Sequence, residues 1–367
     1  MLTLGFITLN LSSELTYFTE IAKRAKKFNI KCYRFIPSQM NPLTEKIVGE
    51  HFSDDDRWVR SEFEIPEILY DRCFYGDDSH SKQCMAIVNW FKSRADIKFL
   101  GHGLPNKLDL YEVLVHSKLS PYLPQTHKVH SPEQVIKTLQ TTNPIIIKPV
   151  TGSQGYGVYF IEKLKNEFKV RTDKKGKQVS RTFQDAPKLL AWLDTLLAKR
   201  TFLIQPYLPL TNEKDQPFDI RSLLQKNKDG RWTVVGKGVR MGEKGGILSN
   251  LSVGATVENY EEWIGATTLY SKNYVNEEID FILTNLPTIL ENEFLPLFEL
   301  GVDIGLAKNG SLWILDVNSK PGRKVLLTDQ PHLRDSLYEA PLIYAKSLSQ
   351  ADIKERRSNN HEKTLSD

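Results

Sequence analysis

The chain has 367 residues, more than a single hydrophobic core usually accommodates, so we expect two or three packed units. Apolar residues make up 40% and charged residues 26%, a balance typical of globular proteins that excludes a wholly disordered or collagen-like chain. The net charge is only +4, and the 49 basic residues are interspersed with 45 acidic ones, which argues against a dedicated nucleic-acid-binding protein.

The cysteines and the N-terminus favour a cytoplasmic protein. Cys32, Cys73 and Cys84 have no C-x-x-C spacing and cannot all pair within one molecule, so reduced thiols are the simpler interpretation. Residues 1–10 are apolar but have no basic segment or small-residue cleavage site. No run approaches the roughly 20 apolar residues of a membrane span. We expect cytoplasmic synthesis and no membrane partner.

The first hundred residues read as one small α/β unit. The pattern predicts strands over residues 2–9, 32–36 and 68–70 and helices over residues 14–28 and 82–91. A turn-rich stretch at 101–106 ends this unit, and a helix over 107–117 opens the next region. Short strands with glycine turns follow from residue 145, then a long helix over 278–298 and two strands. The charged residues near the C-terminus predict a frayed tail.

The first segment with chemical character joins two apolar strands through a glycine-rich loop. The strand IIIKP carries Lys148 near its end, and the loop contains Gly152, Gly155 and Gly157. Glycines allow backbone N–H groups to approach anionic oxygens, and the lysine adds a positive charge beside them. The segment therefore suits a polyphosphate, although an ordinary glycine-rich hairpin with a solvated lysine explains it equally well.

The second segment is a hairpin that brings acidic residues together. The runs GVDIGLAK and SLWILDVN flank Asn309-Gly310, and a two-residue turn there would place Asp303 directly opposite Asp316. Asn318 shares the face of Asp316, because side chains alternate along a strand. Carboxylates with an amide oxygen suit Mg²⁺, which completes its shell with water and substrate phosphates. An exposed acidic face is the alternative.

A third group lies on the strands around residues 218–225 and 235–240. Asp219 and Arg221 share one strand face, and Arg240 on a neighbouring strand is expected to join them, either to hold a transferring phosphate or as a structural ion pair. Asn250 is similarly ambiguous. The strand at 202–208 breaks at a proline, which suits either contact with a purine edge or a linker between domains.

The order of these segments resembles the ATP-grasp superfamily over roughly residues 100–325. The runs LYDRCFYG, GSQGYG, PFDIR and ELGVDIG…WILDVNSKPGR are similar to the YheC/YheD family of ATP-grasp proteins associated with endospore coats. The resemblance implies α/β and α+β architecture. An N-terminal open α/β (pre-ATP-grasp) domain at 1–103 would precede a two-lobed ATP-grasp domain at 104–345, with a hinge near 205–210 and a charged flexible tail at 346–367.

The same resemblance implies roles for individual residues. Nucleotide phosphate or adenine would contact Lys107 and Lys148. The other cofactor-binding residues would be Gly152, Ser153, Gln154, Gly155, Tyr156 and Gly157 over the phosphates, Gln205, Tyr207 and Leu208 around adenine, and Asp219. Asp303, Asp316 and Asn318 would hold Mg²⁺, or Mn²⁺ in its place, and the reacting groups would face Arg221, Arg240 and Asn250.

Two residues depart from the superfamily pattern. ATP-grasp ligases usually carry glutamate where this chain has Asp316, and often where it has Gln205. The shorter Asp316 puts turnover in question but not nucleotide binding.

The resemblance implies an ADP-forming carboxylate–amine ligase that works through an acyl phosphate. Its partners would be ATP, an unidentified carboxylate and amine pair, and spore coat components, with no nucleic acid. A non-catalytic nucleotide-binding protein of the endospore coat is the alternative.

Overall fold

The computed structural model of the protein describes residues 1–152, 155–174, 177–249, 251, 254–267 and 271–364, with side chains except those of 174, 177 and 351–364. Within these residues the chain forms three β-sheets that follow one another in sequence. No bilayer-spanning length of apolar residues occurs in any helix that the structure describes.

The first sheet belongs to an open α/β unit, as the sequence predicts. Its elements are β1 (Leu2–Ile7), α1 (Leu15–Ala25), β2 (Ile30–Phe35), β3 (Ile47–Phe52), β4 (Trp58–Phe63), β5 (Ile68–Asp71), α2 (Ser79–Ser93) and β6 (Lys98–Phe99). The strand order is β4-β3-β2-β1-β5-β6. β2, β1, β5 and β6 run parallel, while β3 and β4 pair in antiparallel fashion beside β2.

Helix α1 covers one face of this sheet because its apolar side chains recur at helical spacing. Phe18 and Ile21 are fully buried, and the ring of Phe18 stacks on that of Phe6 with centroids 4.6 Å apart. Helix α2 begins where the Asp78 side chain accepts a hydrogen bond from the Ser81 N–H at 2.9 Å.

The second sheet is antiparallel and begins after a short helical connection. Its region contains α3 (Lys107–Val115), β7 (His127–Lys128), α4 (Pro132–Thr141), β8 (Ile145–Pro149), β9 (Tyr159–Lys163), β10 (Phe168–Lys174), β11 (Lys177–Phe183), α5 (Ala186–Leu197) and β12 (Phe202–Pro206). The strand order is β11-β10-β9-β8-β12-β7. The predicted helix over 107–117 is confirmed as α3. Leu189 and Leu193 of α5 are fully buried in the core on one face of this sheet.

The third sheet is also antiparallel and supplies the opposite wall of the central cavity. Its region contains β13 (Phe218–Lys226), β14 (Trp232–Met241), β15 (Thr256–Asn259), α6 (Tyr260–Ala266), α7 (Lys272–Glu293), β16 (Glu299–Leu306), β17 (Leu312–Asn318), α8 (Lys324–Asp329) and α9 (Arg334–Thr364). The strand order is β15-β14-β13-β16-β17. Ile282 and Leu286 of α7 share the core of this sheet with Leu300 and Val302.

Two helices differ in extent from their predictions. α7 ends at Glu293, five residues before the predicted end, and its C-cap N–H still bonds to the Leu290 carbonyl. α9 continues through residues 346–364, where the sequence predicts a tail. Its Leu342 joins the core of the first sheet, and Asp335 pairs with Arg24 at 2.6 Å. The domain boundaries at 103 and 345 stay predictions.

The hairpin between β16 and β17 corrects one prediction. The Ala307 N–H bonds to the Ser311 carbonyl, so the turn has three residues ending at Gly310, whose φ is 86°, and the predicted two-residue turn is wrong. A β-bulge beside Asp303 then shifts the register by one residue. Asp303 therefore does lie opposite Asp316, because the bulge compensates for the longer turn.

Candidate nucleotide-binding site

A cavity of about 550 Å³ lies between the second and third sheets. Both sheets and the first unit contribute to its walls. The predicted site residues that line it are Lys107, Lys148, Gly152, Gly155, Tyr156, Gln205, Tyr207, Leu208, Asp219, Arg221, Arg240, Asp303, Asp316 and Asn318. Residues from segments more than 200 positions apart in sequence thus meet at one place.

Lys148 projects from β8 into the cavity. Its Nζ donates a hydrogen bond to the Leu315 carbonyl at 3.3 Å, and it has no carboxylate within ion-pairing distance among the described residues. Burial and the nearby charge of Lys107 lower the pKa of Lys148 to about 8, against the opposing effect of Asp316. The site therefore holds an ammonium group without a close counter-charge in the part of the chain that the structure describes.

Lys107 approaches the same space from the first turn of α3. The helix starts at Asn106, whose side-chain oxygen accepts hydrogen bonds from the N–H groups of Leu108 at 2.9 Å and Asp109 at 3.2 Å. This cap directs Lys107 toward β17, where its ammonium forms an ion pair with Asp316. Asn318 Nδ2 also donates to Asp316 Oδ2 at 3.2 Å.

Asp219, Arg221, Arg240 and Asp303 form a buried charged quartet on the third sheet. The strand registers place Asp219 opposite Arg240 and Arg221 opposite Asp303. Arg240 donates two hydrogen bonds of 2.7 Å to Asp219 and lies 2.9 Å from Asp303 Oδ2, while Arg221 pairs with Asp303 Oδ1. The predicted convergence of these side chains is confirmed, and so is the ion pairing.

The surroundings of the quartet shift the pKa values of its two carboxylates in opposite directions. Burial would raise the pKa of Asp303, but Arg221 and Arg240 together lower it to about 2. Burial raises the pKa of Asp219 above its ordinary value, and Arg240 only partly offsets this. Ser249 Oγ also donates a hydrogen bond to Asp219. Asp303 is thus a firmly ionised group at the cavity wall.

A slot beside β12 is lined mainly by apolar and aromatic groups. Gln205 Nε2 donates to Thr126 Oγ1 at 2.6 Å, which fixes the orientation of that side chain. The Tyr207 ring packs edge-on against Phe160 with centroids 4.9 Å apart. Leu208 and Ile146 complete this wall of the cavity. An apolar and aromatic lining with one fixed amide suits a heteroaromatic ring.

The described glycines of the loop between β8 and β9 have positive φ values. Gly152, Gly155 and Gly157 have φ values of 142°, 75° and 79°, which side chains disfavour. A Cβ on Gly157 would also lie 2.9 Å from Pro149 Cγ. Of these three glycines, Gly152 and Gly155 line the cavity and Gly157 does not. Ser153, Gln154 and Asn250 lie outside the described residues.

The carboxylates that could hold a divalent cation are few. Among the described residues there is no group of three His, Cys, Asp or Glu side chains with metal-binding spacing. Asp303 and Asp316 lie opposite each other, with Asn318 beside Asp316. Two carboxylates and one amide fit a Mg²⁺ ion that takes its remaining ligands from water and phosphates, and do not fit an all-protein cage.

Several cavity residues were missed from the sequence, and three of them are Phe74, Lys320 and Lys324. Phe74 lies just beyond the end of β5 and is 56% exposed, although it lines the cavity. Lys320 also lines it, with Nζ 3.0 Å from Asp71 Oδ2, and Lys324 at the start of α8 is the third. Phe74 lies in the run LYDRCFYG and Lys320 in the run NSKPGR, directly before Lys324, but only the packing of the first unit against the third sheet brings Phe74 and the two lysines together.

The fold and site define the class of protein. Two antiparallel sheets enclosing a lysine-lined cavity, behind an N-terminal α/β unit, make up the ATP-grasp fold. The crystal structure of D-cycloserine synthetase DcsG has this fold in common with the chain, with a TM-score of 0.54 at 12% identity over 95% of this chain and 99% of that chain. This likeness concerns the fold alone.

The chain belongs to the YheC/D like ATP-grasp family, which matches residues 96–348. It is 38% identical to the endospore coat-associated protein YheC of Bacillus subtilis (strain 168), over 93% of this chain and 94% of that protein. The endospore coat-associated protein YheD of the same organism is 24% identical over 92% of this chain and 75% of YheD. The resemblance identified from the sequence motifs is therefore confirmed.

Proposed function

We propose that this chain binds Mg-ATP in the cavity between the second and third sheets and acts as an ADP-forming ligase that joins a carboxylate to an amine. The observation that supports this most is the meeting of Lys107 and Lys148 with the opposed carboxylates Asp303 and Asp316 in one cavity. Ammonium groups for phosphates and carboxylates for a cation are the two parts that a metal–nucleotide complex requires.

The metal site in this proposal consists of Asp303, Asp316 and Asn318. A bound Mg²⁺, or Mn²⁺ in its place, would stabilise charge that develops on the transferring phosphoryl group. Asp316 is paired with Lys107, and Asp303 is paired with two arginines. Each carboxylate would therefore give up a contact with a basic side chain in order to bind the metal. Lys107 released from Asp316 would then turn to phosphate.

The chain's own contribution to the reaction would be positioning and electrostatics. A substrate carboxylate attacks the γ-phosphorus, ADP leaves, and an amine then displaces phosphate from the acyl phosphate. Lys148 would hold phosphate oxygens, and Arg221 and Arg240, with Asn250, would face the reacting groups. Fixed donors of this kind are each worth roughly 10²–10³ in rate. The glycine loop would exclude water from the acyl phosphate.

The adenine would occupy the slot beside β12. Gln205, Tyr207 and Leu208 line it, and the hydrogen bond from Gln205 to Thr126 holds the amide in place before a ligand arrives. Gly152, Ser153, Gln154, Gly155, Tyr156 and Gly157 would cover the phosphates, and Asp219 would act by holding Arg240.

The second candidate is a nucleotide-binding protein of the endospore coat without catalytic turnover. The relatives YheC and YheD are both named as endospore coat-associated proteins. We propose the same association for this chain, with synthesis in the cytoplasm before assembly into the coat. The short Asp316 favours this candidate, because in the structure Lys107 already neutralises it. Coat components would then be the partners.

The decisive experiment measures Mg²⁺-dependent ADP release from ATP with fractions of a sporulating-cell extract. Asp316→Ala should remove the activity, while Asp194→Ala, an acid-to-alanine change on the exposed face of α5, should keep it. Calorimetric titration with ATP reports binding for each variant. ADP that appears with one fraction and depends on Asp316 supports the ligase. Binding of ATP with no fraction-dependent ADP supports the coat protein without turnover.

A further inference from the structure

The loop between β14 and β15 forms part of the cavity wall. Its Gly242 N–H bonds to the Pro217 carbonyl at 2.7 Å, and its Gly245 N–H bonds to the Asp215 carbonyl at 2.9 Å. Both bonds attach the loop to the segment that leads into the third sheet. Ile247 and Leu248 then line the cavity, one residue before the hydroxyl that contacts Asp219. The loop is therefore anchored to the third-sheet side.

The β10–β11 hairpin of the second sheet reaches this loop. Asp173 and Gln178 are cross-strand partners, so their side chains lie side by side. Asp173 Oδ2 accepts hydrogen bonds from two successive backbone N–H groups, those of Ile247 and Leu248, each at 2.9 Å. Gln178 Nε2 donates to the Gly245 carbonyl at 2.9 Å. We refer to these five residues as the clasp.

The clasp bridges the two sheets at the edge of the cavity. Within the described part of the chain, other side-chain hydrogen bonds between the second-sheet and third-sheet regions include those from Lys107 to Asp316, from Tyr122 to Glu278 and from Lys148 to the Leu315 carbonyl. The Lys148 bond lies inside the cavity, where phosphate would compete for the ammonium. A bound nucleotide would leave the clasp contacts in place, because they use none of the ammonium groups assigned to phosphate.

We propose that Asp173 is a positioning residue that holds the two walls together and thereby sets the rate at which nucleotide exchanges with solvent. This inference rests on the proposed binding of nucleotide in the cavity. The clasp consists of protein groups alone, so we expect it to stabilise the arrangement in which the two walls meet both with and without bound nucleotide. Its loss should accelerate association and release together and change the dissociation constant little.

The test uses N-methylanthraniloyl-ATP with Mg²⁺ as the probe and stopped-flow fluorescence as the readout. For Asp173→Ala, both rate constants should rise about tenfold, equivalent to about 1.4 kcal/mol, with the dissociation constant within about threefold of the wild-type value. Asp173→Asn keeps an oxygen that can accept both N–H groups, so it should show a smaller increase. Gln178→Ala, which removes one neutral bond, should also show a smaller increase.

Val179→Ala is the matched control, because residue 179 follows Gln178 on the opposite face of the same strand and is exposed. It should keep both wild-type rates. Unchanged rate constants in Asp173→Ala would overturn the proposed role of Asp173. So would a faster release with an unchanged association rate constant and a matching loss of affinity. If Asp173→Ala does not fold, the Asn and Gln178 variants decide by the same criteria. Wild-type protein that fails to bind the probe overturns the proposed nucleotide site itself.

Discussion

The ammonium of Lys148 allows a test of the nucleotide site that does not depend on the second substrate. Its pKa of about 8 means that it is about nine-tenths charged at pH 7 and about one-tenth charged at pH 9. Only the charged form attracts phosphate, so the affinity for Mg-ATP should fall about tenfold over this range, or about 1.4 kcal/mol. Binding stabilises the charged form, and protons should therefore be taken up on binding near pH 8–9.

Isothermal titration calorimetry at pH 7, 8 and 9, in two buffers of different ionisation enthalpy, measures both the affinity and the proton uptake. Lys148→Arg should flatten the pH dependence, because a guanidinium remains charged throughout this range. Lys163→Arg, at an exposed position on β9 of the same sheet, should keep the wild-type dependence. Equal affinities at pH 7 and pH 9, or the same loss in Lys148→Arg, would refute the reasoning.

Two further substitutions test buried charged groups, one on the cavity wall and one where the first unit meets the third sheet. Arg240→Lys cannot reproduce the paired bonds to Asp219, so ADP release should fall at least about 100-fold while ATP binding persists; near-normal release would contradict this. Glu299→Gln weakens a buried site that holds two arginines, and urea unfolding should show a loss of about 3 kcal/mol. The exposed Glu277→Gln should stay within about 0.5 kcal/mol, and equal losses would contradict the prediction.

Much of the architecture could be predicted because it follows local patterns. Buried apolar runs mark β1, β8 and β16, and the alternation of side chains places Asp219 and Arg221 on one strand face, where Arg240 joins them as expected. The opposition of Asp303 and Asp316 was also predicted, but from a turn that the structure does not have. The β-bulge that restores the register depends on packing across the sheet, which turn chemistry alone does not encode.

The parts that could not be predicted are contacts between distant segments. Nothing local in the sequence pairs Lys107 with Asp316, 209 positions later. The same holds for Phe74 and Lys320, which share the cavity only because the first unit packs on the third sheet. The C-terminal helix is a similar case, since its pairing of Asp335 with Arg24 joins the two ends of the chain. Such contacts depend on tertiary packing.

The charge balance of the cavity also bears on how metal and nucleotide would bind. Each acid that the proposal assigns to the metal already has a cationic partner, Lys107 for Asp316 and the two arginines for Asp303. Coordination of Asp316 to a metal would free the Lys107 ammonium, and binding of that ammonium to phosphate would free the Asp316 carboxylate. Binding of either ligand would therefore break the Lys107–Asp316 ion pair, and the second ligand would bind without having to break it. By linkage the effect is reciprocal, so Mg²⁺ and ATP should bind with positive cooperativity.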